Sequence, residues 1–531
     1  MSAEKLITDH IDIWTSAIQA KSASGRGSSK KRELYGIKKL RELILELAVR
    51  GKLVPQDPTD EPANNILARS IAIKESLLTE GKIKKSRAKK DIKEEHFYDY
   101  PASWATAKIE DLIQVINGRA YKKSEMLSSG IPILRVGNLF TSNEWYYSDL
   151  DLDADKYIDR GDLIYAWSAS FGPFIWEGSR VIYHYHIWKM DIFHDGALDK
   201  NFSKLFLQAI SERIKASGNG IAMIHMTKER MEKVVHPLPP IEEQRRIVAK
   251  VDELMTLCDQ LEQQTEASLD AHQVLVETLL ATLTNSQDAT ELMANWGRIS
   301  EHFDTLFTTE QSIDQLKQTI LQLAVMGKLV PFGSNTEKGG LKKFLSFGPR
   351  NGYSPKEVKS DTGVKVLKLG ATSYGSLDLN ESKSVDVDIE RDSHLWLNKG
   401  DILIQRGNSA NYVGCNCLVE EDVSGVIYPD LMMKIRPSDI TSSEFLSMWL
   451  SSPMAREFMW SRMTGTSGTM PKISKKVVES IPIVMPSRQT QDSIVAKAQD
   501  LLSICEHLKQ RIRDIQQTQL QLTDTIVEQA L

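Results

Sequence analysis

The chain has 531 residues, of which 41% are hydrophobic and 26% are charged, a composition typical of folded proteins rather than disordered ones. At about 150 residues per domain, this length predicts three or four domains. No apolar run reaches the roughly 18 residues that span a bilayer, and the first residues lack a signal-peptide pattern. Four cysteines are too few for a disulfide framework, so we expect a cytoplasmic protein without membrane contact. The net charge of −5 argues weakly against nucleic-acid binding, whose footprint is basic.

Two segments occur twice, and they divide the chain into two copies of one unit. Residues 37–55 match residues 313–331 at 12 of 19 positions, with an offset of 276. Residues 247–261 match residues 494–508 at 7 of 15 positions, with an offset of 247. Each copy therefore has the order helix one, globular part, helix two. Two copies of a binding unit predict a symmetric or two-part ligand, although a duplication without functional meaning stays open.

The first repeated segment, helix one, is predicted to be an amphipathic helix that ends at a glycine. Its apolar residues are spaced three and four apart, which places them on one face. Gly51 and Gly327 supply the left-handed stop, and Pro55 and Pro331 prevent the helix from restarting. The apolar stripes are Ile37, Leu40, Ile44 and Leu47 in the first copy, and Ile313, Leu316, Ile320 and Leu323 in the second.

Two segments rich in basic residues, 21–32 and 81–93, are typical of flexible, solvated linkers, although contact with a nucleic-acid backbone stays open. The globular parts contain β-branched and aromatic runs bounded by turn residues, followed by helical stretches near residues 201–216 and 442–463. We expect mixed α/β domains with a curved sheet and flanking helices, so that the fold class is α+β. In both globular parts a Gly-Asp pair precedes an apolar strand, which predicts a structural turn.

Three groups of loops in the globular parts carry residue types that contact nucleic acid. Arginine pairs with guanine, and asparagine or glutamine with adenine, in the major groove, whereas lysines and small polar residues contact phosphates. For any single residue, the alternative that it belongs to an ordinary surface loop without contact to nucleic acid stays open. The candidates are Arg119, Lys122, Lys123, Trp167, Ser168, Ser170, His225 and Lys228 in the first globular part, and Arg350, Asn351, Tyr353, Lys356, Gln405, Arg406, Asn408, Ser409, Thr466, Ser467, Lys472 and Lys475 in the second.

The second repeated segment, helix two, is predicted to be a coiled-coil spacer of about 40 residues, or roughly 60 Å. Cys258 and Cys505 occupy equivalent seam positions and are expected to be small hydrophobic residues rather than ligands. We expect the central helix two to fold back antiparallel on the helix one that follows it. The last helix two would pair with the N-terminal helices and close the molecule. The seam residues are Ile247, Val251, Leu254, Cys258, Leu261, Leu275 and Leu279 in the central helix, and Ile494, Ala498, Leu501, Cys505, Leu508, Ile512, Ile515, Leu522 and Ile526 in the last.

Sequence signatures of catalysis are absent. There is no phosphate-binding loop, no dinucleotide-binding glycine motif, no zinc-protease motif and no Asp/Asn-Pro-Pro-aromatic tetrapeptide of the amino-methyltransferases. His184 and His186 alternate within a predicted strand, which is typical of a sheet surface rather than a metal pair. Cys415 and Cys417 have no partner pair for a zinc site. We therefore expect no catalytic residue and no metal in this chain.

The residues LAVRGKLVP (47–55), LAVMGKLVP (323–331) and PLPPIEEQRRIVAKVDEL (237–254), with the duplicated helices, resemble the specificity (S) subunit of type I restriction-modification enzymes. The resemblance covers nearly the whole chain. It implies that each globular part is a target-recognition domain for one half of a bipartite, asymmetric sequence in double-stranded DNA. It also implies that the helices set the gap between the halves and dock two modification (M) subunits.

The resemblance places the chemistry on partner subunits. The M subunits would bring S-adenosylmethionine and flip an adenine out of each half, and restriction (R) subunits would use ATP and Mg for translocation and cleavage. This chain would be the non-catalytic subunit of a complex with adenine-specific DNA methyltransferase and type I site-specific endonuclease activity. It would bind no cofactor itself.

The expected organisation is a pseudo-two-fold repeat. The alternative function is a coiled-coil scaffold with two protein- or carbohydrate-binding domains, whereas the missing motifs disfavour a stand-alone DNA enzyme. Acidic residues on the long helices make the negative net charge compatible with basic loops in the domains. The expected segments are an N-terminal helical region and basic linker (1–96), target-recognition domain 1 (97–238), a central helical spacer (239–332), target-recognition domain 2 (333–485) and a C-terminal helical spacer (486–531).

Overall fold

The computed structural model describes residues 3–20, 32–83, 95–168, 171–217, 226–373, 375–465 and 470–531. It divides the chain into two compact units. Unit one contains the N-terminal helices, Arg32–Thr265 and Thr518–Leu531, and unit two contains Glu266–Gln517. Each unit holds one globular part and segments of both long helices. The mixed α/β character expected from the sequence is confirmed.

Helices make up the repeated segments and flank the globular parts. Within the described residues, none of them is long and apolar enough to cross a membrane. The helices are α1 (Ala3–Asp9), α2 (Ile11–Ser16), α3 (Tyr35–Val49), α4 (Ala63–Thr79), α5 (Ile109–Leu112), α6 (Val136–Phe140), α7 (Lys200–Ser217), α8 (Lys228–Glu232), α9 (Ile241–Asn285), α10 (Ala289–Glu301), α11 (Phe303–Leu306), α12 (Glu310–Val325), α13 (Ser443–Ser451), α14 (Pro453–Trp460), α15 (Lys475–Glu479) and α16 (Arg488–Ala530).

Most strands are short and belong to the globular parts. Those of unit one are β1 (Gln19–Ala20), β2 (Arg32–Glu33), β3 (Ala105–Lys108), β4 (Ile113–Asn117), β5 (Ile131–Leu134), β6 (Tyr146–Ser148), β7 (Tyr157–Ile158), β8 (Leu163–Ala166), β9 (Gly172–Ile175), β10 (Val181–Tyr183), β11 (Ile187–Ile192) and β12 (Val235–Leu238). Those of unit two are β13 (Glu337–Gly340), β14 (Leu345–Asn351), β15 (Lys365–Leu367), β16 (Ser382–Ser384), β17 (Ile402–Gln405), β18 (Asn416–Leu418), β19 (Val426–Ile427), β20 (Met432–Pro437) and β21 (Pro482–Met485).

The two globular parts share a common strand topology. The first has sheets ordered β4-β11-β8-β9 and β6-β5-β10-β7, and the second has β14-β20-β17-β18 and β16-β15-β19. Both contain a parallel pair, β5–β10 or β15–β19, among antiparallel neighbours. A two-stranded sheet, β12-β3 or β13-β21, joins the beginning of each globular part to its end. The repeat found in the helices therefore extends through the globular parts, whose sequences differ far more.

The Gly-Asp pairs at 161–162 and 400–401 are structural turns, as the sequence predicts. The glycine of each has φ +88°. Asp162 Oδ2 lies 2.7 Å from Lys189 Nζ, and Asp401 Oδ2 lies 3.0 Å from Lys434 Nζ. Asp401 and Lys434 are both fully buried, so the charge of Lys434 depends on Asp401 for compensation, while Asp401 is also paired with Arg436 at 2.8 Å.

Helix one is confirmed in both copies, as α3 and α12. All residues of the two predicted stripes are buried. Gly51 and Gly327 follow the helix ends with φ +69° and +70°, the left-handed conformation that glycine adopts at least cost. Local periodicity and local stop signals were therefore sufficient to define these helices.

The long helices α9 and α16 have 45 and 43 residues. Cys258 and Cys505 are buried in them as expected, and burial raises the pKa of both thiols to about 11. The predicted seam fails further along, because Ile515, Leu522 and Leu275 are 54%, 45% and 50% exposed. A straight helix drifts by about 20° per heptad from a strict seven-residue repeat, which turns later seam positions away from the packed face.

In unit one, α3 contacts both long helices. Arg41 Nη1 lies 2.6 Å from Glu262 Oε2 on α9. The hydroxyl of Tyr35 donates to Asp524 Oδ1 on α16 at 2.7 Å. Helix one of the first copy is thus held by helix two of its own copy and by the end of helix two of the other copy.

In unit two, α12 has the equivalent neighbours. Lys509 Nζ on α16 lies 2.7 Å from Asp314 Oδ1, and Gln315 Nε2 donates to Glu277 Oε1 on α9 at 2.7 Å. Lys328, just after α12, donates to Thr284 O at the end of α9. The two contacts with α9 run in the same direction along α9 and α12, from Gln315 and Glu277 to Lys328 and Thr284, so these helices are parallel and the expected antiparallel pairing is wrong. The helix that folds back antiparallel on α9 is α10, whose Asn295 donates to Thr282 O.

The repeat is retained at the helix ends. Lys328 Nζ donates to the carbonyl oxygen of Thr284 at 2.6 Å, and Lys52 Nζ donates to Leu531 O at 2.5 Å. Thr284 and Leu531 are equivalent at the offset of 247. Lysine at a helix C-terminus satisfies free carbonyl groups and stabilises the helix dipole.

A buried glutamine joins each globular part to its long helix. Gln244 and Gln491, near the starts of α9 and α16, are fully buried. Their side-chain amides donate to the carbonyl oxygens of Ala197 and Ile440, respectively, at 2.9 and 3.0 Å. Each long helix is therefore fixed to its own domain by the same contact.

Candidate nucleic-acid interface

In the first globular part, called the first domain below, the segment that joins the two sheets is a turn. Strand β10 ends at Tyr183 and β11 begins at Ile187, and these strands belong to different sheets. The prediction that His184 and His186 alternate within one strand is therefore wrong. The apolar and aromatic residues continue across the turn, so the sequence pattern does not show where β10 ends and β11 begins.

Two of the candidate loops meet at this turn. The backbone N–H of Arg119 donates to Tyr183 O at 3.0 Å, and that of Tyr185 donates to Arg119 O at 3.1 Å. The N–H of Trp167 donates to His186 O at 3.1 Å. The loops that begin at Arg119 and Trp167 are thus fixed to one turn, which sequence reasoning did not include in the site.

The second domain repeats this arrangement around the turn 429–431. The N–H of Tyr353 donates to Tyr428 O at 2.9 Å, and the N–H of Arg406 donates to Leu431 O at 2.8 Å. We call residues 184–186 and 429–431 the inter-sheet turns. Pro429 and Asp430, next to the apolar strands, were the sequence signal for the second of them.

Glycines allow the loops to approach these turns. A Cβ atom on Gly118 would lie 2.3 Å from His184 O, and one on Gly352 would lie 1.9 Å from Tyr428 O. Any larger residue would push the loop off the turn. The backbone contacts make three pairs of positions equivalent in the two domains: Arg119 with Tyr353, Trp167 with Arg406, and Tyr185 with Asp430.

A further candidate loop joins the site in the second domain. Lys472 forms backbone bridges with Gly407 and Thr464, and the N–H of Ile473 donates to Arg406 O at 2.9 Å. Lys472 and Lys475 are both exposed. Of the sequence candidates, Ser170, His225, Thr466 and Ser467 lie outside the described residues.

Arg119 is paired within its own domain. Its guanidinium donates to both carboxylate oxygens of Glu125, at 2.7 and 3.0 Å, and lies over the ring of Tyr121. The hydrogen bond that Arg119 donates to Glu125 raises the pKa of Arg119. Lys122 and Lys123, in the same loop, are exposed. This loop therefore presents two exposed lysines beside an arginine whose orientation Glu125 fixes.

Aromatic side chains surround the first inter-sheet turn. Trp167 stacks on Trp188 with 5.8 Å between ring centroids, and its Nε1 donates to Tyr185 O. Burial lowers the pKa of His184 to about 4 and also lowers that of His186, so both rings are neutral near pH 7. Neutral imidazoles and an exposed tyrosine suit contact with bases better than contact with phosphates.

Two other candidates of the first domain, Ser168 and Lys228, have contacts that do not by themselves indicate a role in the site. Ser168 is half-buried beside Trp167. Lys228 begins the short helix α8, and its Nζ lies 3.5 Å from Glu232 Oε1. The described contacts do not bring Lys228 to the inter-sheet turn.

Gln405 does not lie on the surface, contrary to the expectation that it contacts a base. It is fully buried at the end of β17. Its Nε2 donates to Leu369 O and Thr372 Oγ1 at 2.9 and 3.0 Å, and its Oε1 accepts from Asn408 Nδ2 at 2.7 Å. The Gln405 amide supports the loop from below. Asn408 uses its side-chain amide to bond to Gln405, so it belongs to this support rather than to the exposed surface.

Arg406 and Ser409 are the accessible residues of the same loop. Arg406 is partly exposed, and within the described residues its guanidinium makes no hydrogen bond or ion pair. Ser409 is exposed. An unpaired guanidinium at the surface of a nucleic-acid interface is available for a bidentate contact.

The candidates near residue 350 lie partly in a strand rather than a loop. Arg350 and Asn351 are the last residues of β14. The Arg350 guanidinium lies over the Phe347 ring, and Asn351 Oδ1 is buried without a hydrogen-bond partner among the described residues. Tyr353 is 50% exposed, and Lys356 is also exposed. Asn351 is thus turned inward, whereas Tyr353 and Lys356 remain at the surface.

Within the described residues, no group of three or more His, Cys, Asp or Glu side chains is placed to bind a metal ion. Cys415 and Cys417 are free thiols. The site consists of basic, aromatic and amide side chains around a hydrogen-bonded backbone frame. This arrangement suits the recognition of a polyanion with readable base edges.

Comparisons with known proteins agree with this chemistry. The family model of the type I restriction modification DNA specificity domain matches residues 101–271 and 337–517. The chain is 35% identical to the type I restriction enzyme EcoEI specificity subunit and 35% identical to the EcoAI specificity subunit, both of Escherichia coli, over 100% of each chain. A solved chain from work on "complex assembly and conformational transition of the type I R-M system" is 16% identical, covers 82% of this chain and 98% of its own, and has a TM-score of 0.50.

The chain therefore belongs to the family of type I restriction-modification specificity subunits. Recognition of a DNA sequence is its function, and this replaces the alternative of a protein- or carbohydrate-binding scaffold. The duplicated match places one DNA specificity domain in each copy of the repeat.

Proposed function

We propose that the chain reads a bipartite, asymmetric sequence in double-stranded DNA, one half with each globular part. The observation that carries this proposal is the pair of inter-sheet turns. Their backbone frames are equivalent, yet the side chains at the equivalent positions differ in kind, as Trp167 and Arg406 do. Equivalent frames would dock on DNA in the same way, and different side chains would select different bases.

The long helices would set the distance between the two halves. At about 1.5 Å per residue, a helix of the length of α9 spans roughly 65 Å, and a rigid helix fixes a distance better than a flexible linker. We infer that the end of α16 closes the molecule on the N-terminal helices. The hydrogen bond between Tyr35 and Asp524 and the contact between Lys52 and Leu531 support this closure.

The same helices would dock two M subunits. Apolar side chains are exposed at positions that are equivalent at the offset of 247: Leu257 and Ile504 are 37% and 52% exposed, and Leu275 and Leu522 are 50% and 45% exposed. Exposed apolar residues that recur in both copies suit two copies of one partner. The partners would add S-adenosylmethionine, and R subunits would add ATP and Mg.

Binding to DNA duplexes tests the proposal. The subunit is assembled with its M subunits and titrated with a cognate duplex and with duplexes in which one half is replaced. We expect each replacement to weaken binding, and the affinity for every duplex to fall linearly on a log-log plot against salt. Affinity that is flat in salt, or insensitive to replacement of one half, would refute the bipartite reading.

A further inference from the structure

Asp430 is an exposed carboxylate at the centre of the second inter-sheet turn. The loops fixed to this turn contribute Arg406 and Lys356, and the segment bridged to the Arg406 loop contributes Lys472, all cationic. Within the described residues, Asp430 forms no ion pair with any of them. Its Oδ1 accepts a hydrogen bond from the hydroxyl of Ser354, and the structure gives Oδ2 no partner among those residues.

A free carboxylate is unfavourable where a protein faces phosphates, because like charges repel. It becomes favourable only against a hydrogen-bond donor. In the major groove the donors are the exocyclic amino groups of cytosine and adenine. Adenine presents its N7 acceptor beside the amino group, and this acceptor would repel the second carboxylate oxygen, whereas cytosine offers the amino group alone.

The position of Asp430 in the frame supports a base contact. Its equivalent in the first domain is Tyr185, which is 40% exposed and flanked by the neutral His184 and His186. Neither Asp430 nor Tyr185 is a phosphate-binding residue by charge. In both domains the inter-sheet turn therefore presents a non-cationic side chain beside a loop that carries cations.

We propose that Asp430 is a specificity-determining residue, which accepts a hydrogen bond from N4 of a cytosine in the half-site read by the second domain. The inter-sheet turn is then a third recognition element beside the loops that begin at Tyr353 and Arg406. This inference rests on the proposed bipartite reading and names one base class within it.

The test compares Asp430→Asn with wild type in the complex with M subunits. Binding is measured to duplexes in which each position of the second half is varied in turn. Wild type should prefer cytosine at one position by about ten- to hundredfold, the range of a good base contact. Asp430→Asn keeps one acceptor oxygen and gains an amide donor, so its preference at that position alone should shift from cytosine toward adenine. Its affinity for non-cognate duplex should stay equal or rise because one negative charge is removed.

Ser354→Ala is the matched control. It removes the hydroxyl contact to Asp430 and keeps the carboxylate, so its base preference should remain that of wild type. Unchanged preference in Asp430→Asn at every position would overturn the proposal. Equal relaxation in both variants would overturn it too, because the carboxylate would then only support the turn. A wild-type complex without any sequence preference would instead refute the proposed function itself.

Discussion

Asn408 Nδ2 donates a hydrogen bond of 2.7 Å to Oε1 of Gln405, and the side-chain amide of Gln405 donates in turn to Leu369 and Thr372 beneath the loop. The loop that carries Arg406 is therefore shaped by the buried amide of Gln405 beneath it and by Asn408, which bonds to that amide. This distinguishes two roles in adjacent residues. Gln405 holds the loop, and Arg406 is presented by it.

Gln405→Leu should destabilise unit two and weaken reading of the second half. Leucine leaves the carbonyl of Leu369 and the amide of Asn408 without their partner, at a cost of about 1–3 kcal/mol in the free energy of unfolding. Urea unfolding and duplex titration measure the two effects. Ser409→Ala, in the exposed part of the loop, should leave stability unchanged. Wild-type stability in Gln405→Leu would contradict the supporting role.

Arg406→Ala should affect one half-site only. The guanidinium is unpaired in the described structure, so its loss leaves the fold intact and removes a contact of about 1–3 kcal/mol to DNA. Competition between duplexes altered in the first or second half measures the effect. Arg488→Ala, an exposed arginine at the start of α16, serves as the charge-matched control. Equal loss at both halves would count against the assignment.

The first domain should lose stability as the pH falls below 6.5. His236 is fully buried, and burial lowers its pKa to about 4. Because the unfolded state binds a proton at a pKa of about 6.5, the stability contribution is complete above that pH and is lost as the pH falls toward 4. Between pH 7 and 5 the loss is on the order of 2 kcal/mol, measurable by urea unfolding.

The chain contains its own control for this effect. The residue equivalent to His236 at the offset of 247 is Ile483, which is buried in β21. His236→Ile should therefore reduce the dependence of stability on pH over this range and leave the part that His184 contributes. An identical pH dependence in wild type and variant would show that other groups cause it.

Removal of residues 518–531 should loosen α3 without affecting α12. The truncation deletes Asp524 and Leu531, the partners of Tyr35 and Lys52. Helix α12 retains its contacts with the preceding residues of α16, including the ion pair between Asp314 and Lys509. Hydrogen exchange of the two helices, compared within one sample, measures the difference. Equal protection of α3 before and after truncation would refute closure by the end of α16.

Leu522→Glu should weaken the binding of one M subunit. A carboxylate at an apolar contact must be desolvated, which disfavours docking there. Mass measurement of the assembled complex should show one M subunit lost, and Leu522→Glu combined with Leu275→Glu should lose both. Glu528→Gln, in the last turns of α16, is a control for a charge change on the same helix. Full occupancy in the double variant would place the M subunits elsewhere.

The sequence was sufficient where structure is local. The stripe of α3, its glycine stop and the Gly-Asp turns follow from spacing and backbone preference, and all are confirmed. The late seam positions Ile515 and Leu522 were not predictable in this way, because drift over several heptads depends on which helices pack alongside. The reversal by α10 likewise depends on tertiary packing.

The candidate site shows the same division. The composition of the loops identified Arg406 and Lys472, and the fold brings their backbones together. The inter-sheet turns were missed because a strand and the strand that follows it read as one apolar run. The burial of Gln405 was also not predictable, because a glutamine in the sequence does not reveal whether its side chain lies at the surface or beneath a loop.

The close approach of Gly118 and Gly352 to their turns has a consequence for how such a protein changes its target. Backbone contacts fix the root of each loop to its turn, so the exposed side chains beyond this anchor are not needed to hold the loop there. Substitutions at positions such as Tyr353 or Arg406 would then change the DNA sequence that is recognised while the domain stays folded. A new half-site could be acquired by side-chain exchange, without a new domain.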